Sequence, residues 1–201
     1  GYLFRKNLLI NSHVTQAVAN SNVKRYVYVG TACSFPKELQ NDINSVPLTE
    51  DKQLPASPES AYGWSKLMGE IDCKYLQDEK SIDTVILSFH NVYGYPCDFK
   101  SFRSQVIPSL VYKTLSSTNN IIDVWGNGEQ GRAFVNVKDV VSAFLFLLEK
   151  MPQLGSFTDL SAGSGSYFSI QEFVRLAENL YKKQKILKEL IQPNIYPPGP
   201  K

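Results

Sequence analysis

Two apolar runs flanking a helical stretch constrain this chain more than any other feature. Residues 25–30 (Arg25, Tyr26, Val27, Tyr28, Val29, Gly30) are rich in β-branched and aromatic side chains, and residues 83–89 form a nearly unbroken apolar run from Asp83 to Phe89. The second run suits a strand covered on both faces, as in a buried parallel sheet. Between them lies a polar, Pro-containing loop, after which Pro58, Glu59 and Ser60 open a helix over about 58–78, Pro being tolerated in a first turn. The first run ends in Gly30, Thr31, Ala32 and Cys33, which puts small hydroxyl and thiol side chains at the carboxyl edge of a strand. Open α/β sheets place their sites there.

The remaining chain alternates in the same manner. Leu3, Leu8, Leu9, Val14, Ala17 and Val18 give residues 2–20 a helical pattern ending at Asn20 to Asn22. Residues 90–103 read as a loop, and 104–117 as a helix in which Pro108 must occupy the first turn or impose a kink. Residues 121–125 read as a short strand, 126–132 as a Gly-rich loop, and 137–150 as an apolar helix opened by Lys138 and Asp139. A strand over 157–160, a helix from Ser169 to about Lys183 and an irregular Pro-rich end from Pro193 follow.

Composition excludes several function classes. With 201 residues and 43% hydrophobic content the chain can bury a sizeable core as one domain, or as one domain with a lobe. Twenty-one Lys and Arg against nineteen Asp and Glu, with no basic block, argue against a nucleic-acid partner. No apolar run spans a bilayer and no signal peptide is visible, so no membrane association is expected. The three cysteines, Cys33, Cys73 and Cys97, are odd in number and lack metal-ligand spacing. Neither a disulfide framework nor a metal site is expected, and the compartment reads as reducing and cytoplasmic.

The chemistry is carried by Tyr62 and Lys66, four residues apart and so on one helix face. An ammonium near a phenol favours the phenolate, making the phenol a usable base near neutral pH. A spacing of this kind is common by chance; its place after the strand at 25–30 strengthens it.

Four segments in order, Gly30 to Lys37, Ala61 to Lys66, His90 to Gly94 and Trp125 to Arg132, resemble the extended short-chain dehydrogenase/reductases that act on nucleotide sugars. Within that superfamily, the NAD-dependent epimerase/dehydratase family, they are most similar to GDP-L-fucose synthases and GDP-mannose 3,5-epimerases. The resemblance implies that Tyr62 exchanges the proton of a sugar hydroxyl, with Lys66 lowering its pKa and holding the nicotinamide ribose, and with Thr31 bonding the same hydroxyl. It also implies that Cys33 acts as the carbon-acid base of an epimerisation, for which a thiolate is suited. Fucose synthases carry a His where this chain has Gln105, which cannot act as a general acid. The 3,5-epimerases instead carry a Lys in the preceding loop, and Lys100 lines up with it as the partner of Cys33. The Asp-Glu pair of the 4,6-dehydratases is replaced by Ala32, Cys33 and Ser34, which argues against loss of water by that route.

By the same resemblance, backbone groups of Phe89, His90, Asn91 and Val92 touch an NAD or NADP nicotinamide, His90 itself being a neutral packing residue. Asn91, Lys113, Trp125 and Arg132 contact the substrate, Trp125 with its flat face and Arg132 as a planar clamp on the diphosphate. The Gly-rich turn that grips a dinucleotide pyrophosphate is missing. The expected fold is therefore α/β, a doubly wound parallel Rossmann-like sheet lacking its N-terminal part, with a small C-terminal α/β substrate lobe. Residues 1–95 would belong to the dinucleotide-binding domain and 96–201 to a mixed substrate-binding region, with 121–160 partly returning to the core sheet. The expected function is a nucleotide-sugar epimerase or epimerase-reductase on a GDP-mannose-derived sugar. A 4-reductase or 4-epimerase in which Cys33 is structural, or a non-catalytic relative, are the alternatives. Helices at 2–20 and 58–80 resemble the dimerisation helices of the family, so a homodimer is expected.

Overall fold

Strand β1 (Arg25–Thr31) lies parallel to β2 (Asp83–Phe89), with Arg25 opposite Asp83 and Thr31 opposite Phe89, so the two strands end together at their carboxyl edge. The computed structural model describes residues 1–40, 48–101, 103–117, 122–124, 131–155, 157–163 and 167–190. A third parallel strand, β5 (Phe157–Ala162), pairs with the other side of β2 and gives the order β1-β2-β5. Every residue of β2 after Asp83 is buried, as its unbroken apolar run requires.

The two faces of β2 meet different partners because side chains alternate along a strand. Val85, Leu87 and Phe89 pack with Leu147 and Met151, placing helix α4 (Val137–Lys150) on one face. Burial of side chains of this size contributes about 1.5–3 kcal/mol each. Ile86 packs with Tyr28 and Cys73, placing helix α2 (Ala61–Lys80) on the other face, and helix α1 (Tyr2–Ala19) packs on α2. The sheet is thus wound on both sides.

The helix boundaries follow local chemistry. Ser60 caps α2 by accepting the Gly63 N–H at 3.1 Å, and Ser81, in the left-handed region at φ 54°, ends it with its N–H on the Gln77 carbonyl. Helix α4 covers the expected residues 137–150, with Lys138 and Asp139 in its first turn, and is capped by the Asn136 side chain, which accepts the Lys138 N–H at 2.9 Å.

Residues 1–94 with 131–167 form one compact unit, and 95–130 with 168–201 a second. The first unit also contains β3 (Asn91–Tyr93) and β4 (Gly131–Asn136), paired in parallel with Asn91 opposite Phe134. Both were hidden from sequence reading: β3 is only three residues long inside a segment that reads as a loop, and β4 takes Gly131 and Arg132 from the expected Gly-rich loop 126–132 and runs directly into α4; residues 126–130 lie outside the described residues. The second unit contains α3 (Val106–Ser116) packed against α5 (Ile170–Leu190). Pro108 sits in the first turn of α3, where its missing N–H costs nothing. The strand expected at 121–125 is not formed over residues 122–124, and α5 runs past Lys183 to Leu190. The Pro-rich end from Pro193 lies outside the described residues. Strand β6 (Tyr167–Ser169) leads into α5. Among the described residues no helix is long and apolar enough to cross a membrane.

Candidate active site

The site is built where β1 stops. Thr31 ends the strand in extended geometry and its hydroxyl accepts the Cys33 N–H at 3.3 Å, starting a tight 3₁₀ turn over Ala32–Ser34. Ser34, fully buried, donates back to the Thr31 carbonyl at 2.7 Å. The turn leaves the Cys33 thiol exposed, so it is not the small buried hydrophobe that a free cysteine commonly is.

Helix α2 docks its first turn against that backbone. A Cβ on Gly63 would lie 2.0 Å from the Cys33 carbonyl oxygen, so only glycine allows this approach. Tyr62 is thereby brought beside Thr31 and Cys33, and its ring stays 36% exposed. Partial burial raises the phenol pKa, interaction with the Thr31 hydroxyl pulls it down, and the neighbouring Cys33 thiol pushes it up.

Lys66 lies one turn further along α2, with its ammonium 4.4 Å above the Tyr28 ring. Burial lowers its pKa while the charge of Glu70 supports the ammonium.

The backbone around Lys66 is held from α1. Asn7 donates to the Ser65 hydroxyl and Asn11 to the Ser65 carbonyl, both at 2.9 Å, while the Tyr28 hydroxyl is shared between Asn11 Oδ1 and the Lys66 carbonyl at 3.3 Å each. Sequence reasoning missed these supports, since nothing in the order of residues pairs 7 with 65. Glu70 was also missed, although the spacing 62, 66, 70 continues the same helix face and could have revealed it.

The other residues of the first unit separate by role. Phe89 turns its ring into the core against Phe144, with centroids 5.8 Å apart, so only its backbone is available at the strand end. Burial lowers the His90 pKa and keeps the ring neutral near pH 7. Asn91 uses its side-chain amide to donate to the Ala133 carbonyl at 3.1 Å, and Val92 is exposed beside it. Arg132 is exposed on β4 and donates to the Gly131 carbonyl at 2.7 Å.

In the second unit, Lys100 is exposed in a loop, with its ammonium 5.7 Å from the Phe99 ring and 6.0 Å from that of Tyr112. Lys113, on α3, donates to the Asp123 carbonyl at 2.8 Å. Trp125 lies outside the described residues. No cluster of His, Cys, Asp and Glu able to hold a metal occurs among the described residues.

A family profile described as the NAD dependent epimerase/dehydratase family matches residues 1–163. The chain belongs to that family. Among curated members, GDP-mannose 3,5-epimerase of Arabidopsis thaliana is 28% identical over 179 residues, 89% of this chain and 46% of that protein. GDP-L-fucose synthase 1 of the same plant is 27% identical over 180 residues, 87% of this chain and 53% of that protein. The chain thus spans about half the length of the curated epimerase/dehydratase relatives it matches. Among solved structures, UDP-glucose 4-epimerase of Thermotoga maritima with UDP-glucose superposes with a TM-score of 0.74 at 21% identity, over 98% of this chain and 58% of that one. A GDP-D-glycero-L-gluco-heptose synthase of Campylobacter jejuni, solved with NADPH, gives 0.72 at 22% identity over 90% of this chain and 63% of that one. Both likenesses establish the parallel α/β fold of the family.

Proposed function

We propose that the chain carries the catalytic helix of an NAD- or NADP-dependent nucleotide-sugar epimerase or epimerase-reductase acting on a GDP-mannose-derived sugar. The observation that carries this reading is the exposed Cys33 thiol beside the Tyr62 phenol and the Thr31 hydroxyl at one sheet edge. A proton-transfer group for carbon thus stands next to one for oxygen.

The chemistry of these donors fits a nicotinamide dinucleotide: an ammonium and a phenol one turn apart on α2, at the carboxyl ends of β1 and β2. Lys66 would hold the ribose, with backbone groups of Phe89 to Val92 lying along the nicotinamide. When bound, the cofactor supplies hydride exchange at a sugar carbon. Tyr62, whose pKa is raised, holds its proton near pH 7 and is ready to donate it to the oxygen of a ketone being reduced. Thr31 orients that oxygen by a hydrogen bond. In the opposite direction the Lys66 charge would offset the burial that disfavours phenolate. Cys33 removes the proton from the carbon next to the ketone, and Lys100 returns one to the opposite face. Asn91, Lys113 and Trp125 are the proposed contacts to the sugar nucleotide, and Arg132 the proposed clamp on its diphosphate. The exposed outer faces of α1 and α2, with Leu3, Ile10, Val14 and Tyr75, are assigned to a homodimer.

A second reading, a 4-reductase without inversion, is favoured by the exposure of Lys100 over the Phe99 and Tyr112 rings. One experiment separates the two. The natural full-length protein, beside Cys33→Ser and Tyr62→Phe, is incubated in deuterium oxide with GDP-mannose and with GDP-4-keto-6-deoxymannose. Ring-carbon deuterium that disappears in Cys33→Ser is the expected result. Turnover without ring exchange establishes the reductase, and a wild-type protein that binds no nicotinamide is a non-catalytic relative.

A further inference from the structure

Helix α2 is tied to the Ala32–Ser34 turn at two places. In its first turn, Gly63 lets the helix backbone come against the Cys33 carbonyl. Two turns further on, Glu70 is only 3% exposed and lies over Gly30, where a Cβ would stand 2.3 Å from Ser88 Oγ and 3.1 Å from Glu70 Oε1. Gly30 and Ser88 face each other in one row of β1 and β2, so the absent side chain at Gly30 admits the carboxyl.

One side chain joins this carboxyl to the turn. Half-buried Gln53 donates from Nε2 to Glu70 Oε2 at 2.5 Å and to Ser34 Oγ at 3.0 Å, which uses both of its amide N–H bonds. Ser34, with no exposed surface, donates in turn to the Thr31 carbonyl at 2.7 Å. Three hydrogen bonds thus run from α2 through residues 70, 53, 34 and 31 to the end of β1. Their direction is set by chemistry: the Ser34 hydrogen is committed to Thr31, so the middle place needs a group with two N–H bonds. The 3₁₀ turn Glu50–Lys52 that delivers Gln53 is itself fastened to the sheet, with Glu50 Oε1 accepting the Ser161 N–H at 2.6 Å and the Gln53 N–H returning to the Glu50 carbonyl at 3.3 Å. Gln40 has a different task, since it donates to the Ala32 and Phe35 carbonyls at 3.2 and 3.1 Å and so spends its amide on the turn itself.

We propose that Gln53 is a positioning residue, whose side-chain amide locks the turn carrying Cys33 to helix α2 and so fixes the thiol relative to Tyr62. This rests on the role given to Cys33 under Proposed function. Gly63 permits the close approach but supplies no attraction. Gln53 supplies it, and its removal leaves Ser34 Oγ and Glu70 Oε2 buried without their donor.

The test places a trifluoromethyl tag on the exposed cysteines of the natural full-length protein and reads fluorine NMR in wild type, Gln53→Ala, Gln53→Glu and the double variant Gln53→Glu with Glu70→Gln. The Cys33 signal is assigned by its loss in Cys33→Ser, and that of Cys97, exposed outside the turn, serves as the reference for general effects. In wild type the Cys33 tag is expected to give one resonance away from its position in urea. Losing the middle donor should lower the ratio of locked to free turn about tenfold in Gln53→Ala and in Gln53→Glu, which has the same shape and no N–H to give. A second resonance, or a shift toward the position in urea, then appears for Cys33 and not for Cys97. The double variant exchanges donor and acceptor between positions 53 and 70 and should recover part of the wild-type signal. In parallel, ring-carbon deuterium exchange in GDP-4-keto-6-deoxymannose should fall about tenfold or more in Gln53→Glu with KM within about twofold of wild type, because the thiol is displaced while the nucleotide contacts stay. A Cys33 signal unchanged in both single variants overturns the proposal, as does a raised KM with the exchange rate unaltered. A wild type that exchanges no ring deuterium defeats the enzymatic reading, while the fluorine spectra still decide whether Gln53 locks the turn.

Discussion

Replacing Gly63 with alanine tests the geometry on which the site depends. The new Cβ would stand 2.0 Å from the Cys33 carbonyl oxygen, 3.0 Å from the Cys33 carbonyl carbon and 3.0 Å from Pro58 Cβ, whereas real Cβ contacts essentially never fall under 3.0 Å. The obstacle is backbone, which cannot rotate away, so the first turn of α2 and the Ala32–Ser34 turn must part by about 1 Å or more. Forcing extra volume into a packed contact costs about 1–3 kcal/mol. The intrinsic preference of a helix for alanine returns at most about 1 kcal/mol, and less in a first turn held by the Ser60 cap. A net loss of about 1–2 kcal/mol is expected in urea unfolding of the natural full-length protein. Separation by 1 Å also moves Tyr62 from Thr31 and Cys33, and misplacement on that scale lowers turnover by about 100-fold. An unfolding midpoint equal to wild type together with turnover within twofold would refute the contact and, with it, the reason given for glycine at this position.

Two further outcomes follow from the supports of the site. Asn11→Ala removes a donor to Ser65 and an acceptor for Tyr28, and should cost about 1–2 kcal/mol in urea unfolding, more than Asn7→Ala, which loses a single bond to the Ser65 hydroxyl. Stability should also depend on pH through Glu70 and Asp159, whose folded carboxyls titrate at about 7 and about 6, against about 4 for unfolded carboxyls. The folded state then binds more protons than the unfolded state across this window, so stability is highest below about pH 4 for these two groups and falls as pH rises toward 7. Glu70→Gln should flatten the decline between urea midpoints at pH 5 and pH 7.5; an equally steep decline in that variant would show that Glu70 is not the source.

Much of the frame was legible from local pattern. The apolar runs marked β1 and β2, the Ser60 cap and amphipathic spacing marked α2, and Thr31, Cys33 and Tyr62 fell close together because strand end and helix start are joined by one turn contact. Short elements escaped. Strand β3 is three residues long and β4 exists by pairing with it, which is a property of neighbours and not of the segment. Helix α4 formed over the expected residues 137–150, and what pattern did not show was its cap, since the Asn136 side chain is set by where β4 ends.

What the sequence determined alone is what depends on short-range chemistry: period, capping and the placing of Tyr62 and Lys66 on one helix face. The tertiary structure decided the electrostatics. Glu70 lies on the same helix face as Tyr62 and Lys66, yet it is buried, with its carboxyl raised by that burial, because Gly30, Ser88 and Gln53 converge around it above one row of the sheet. Charges interact through space and are strengthened by burial, so their balance cannot be read from spacing along the chain.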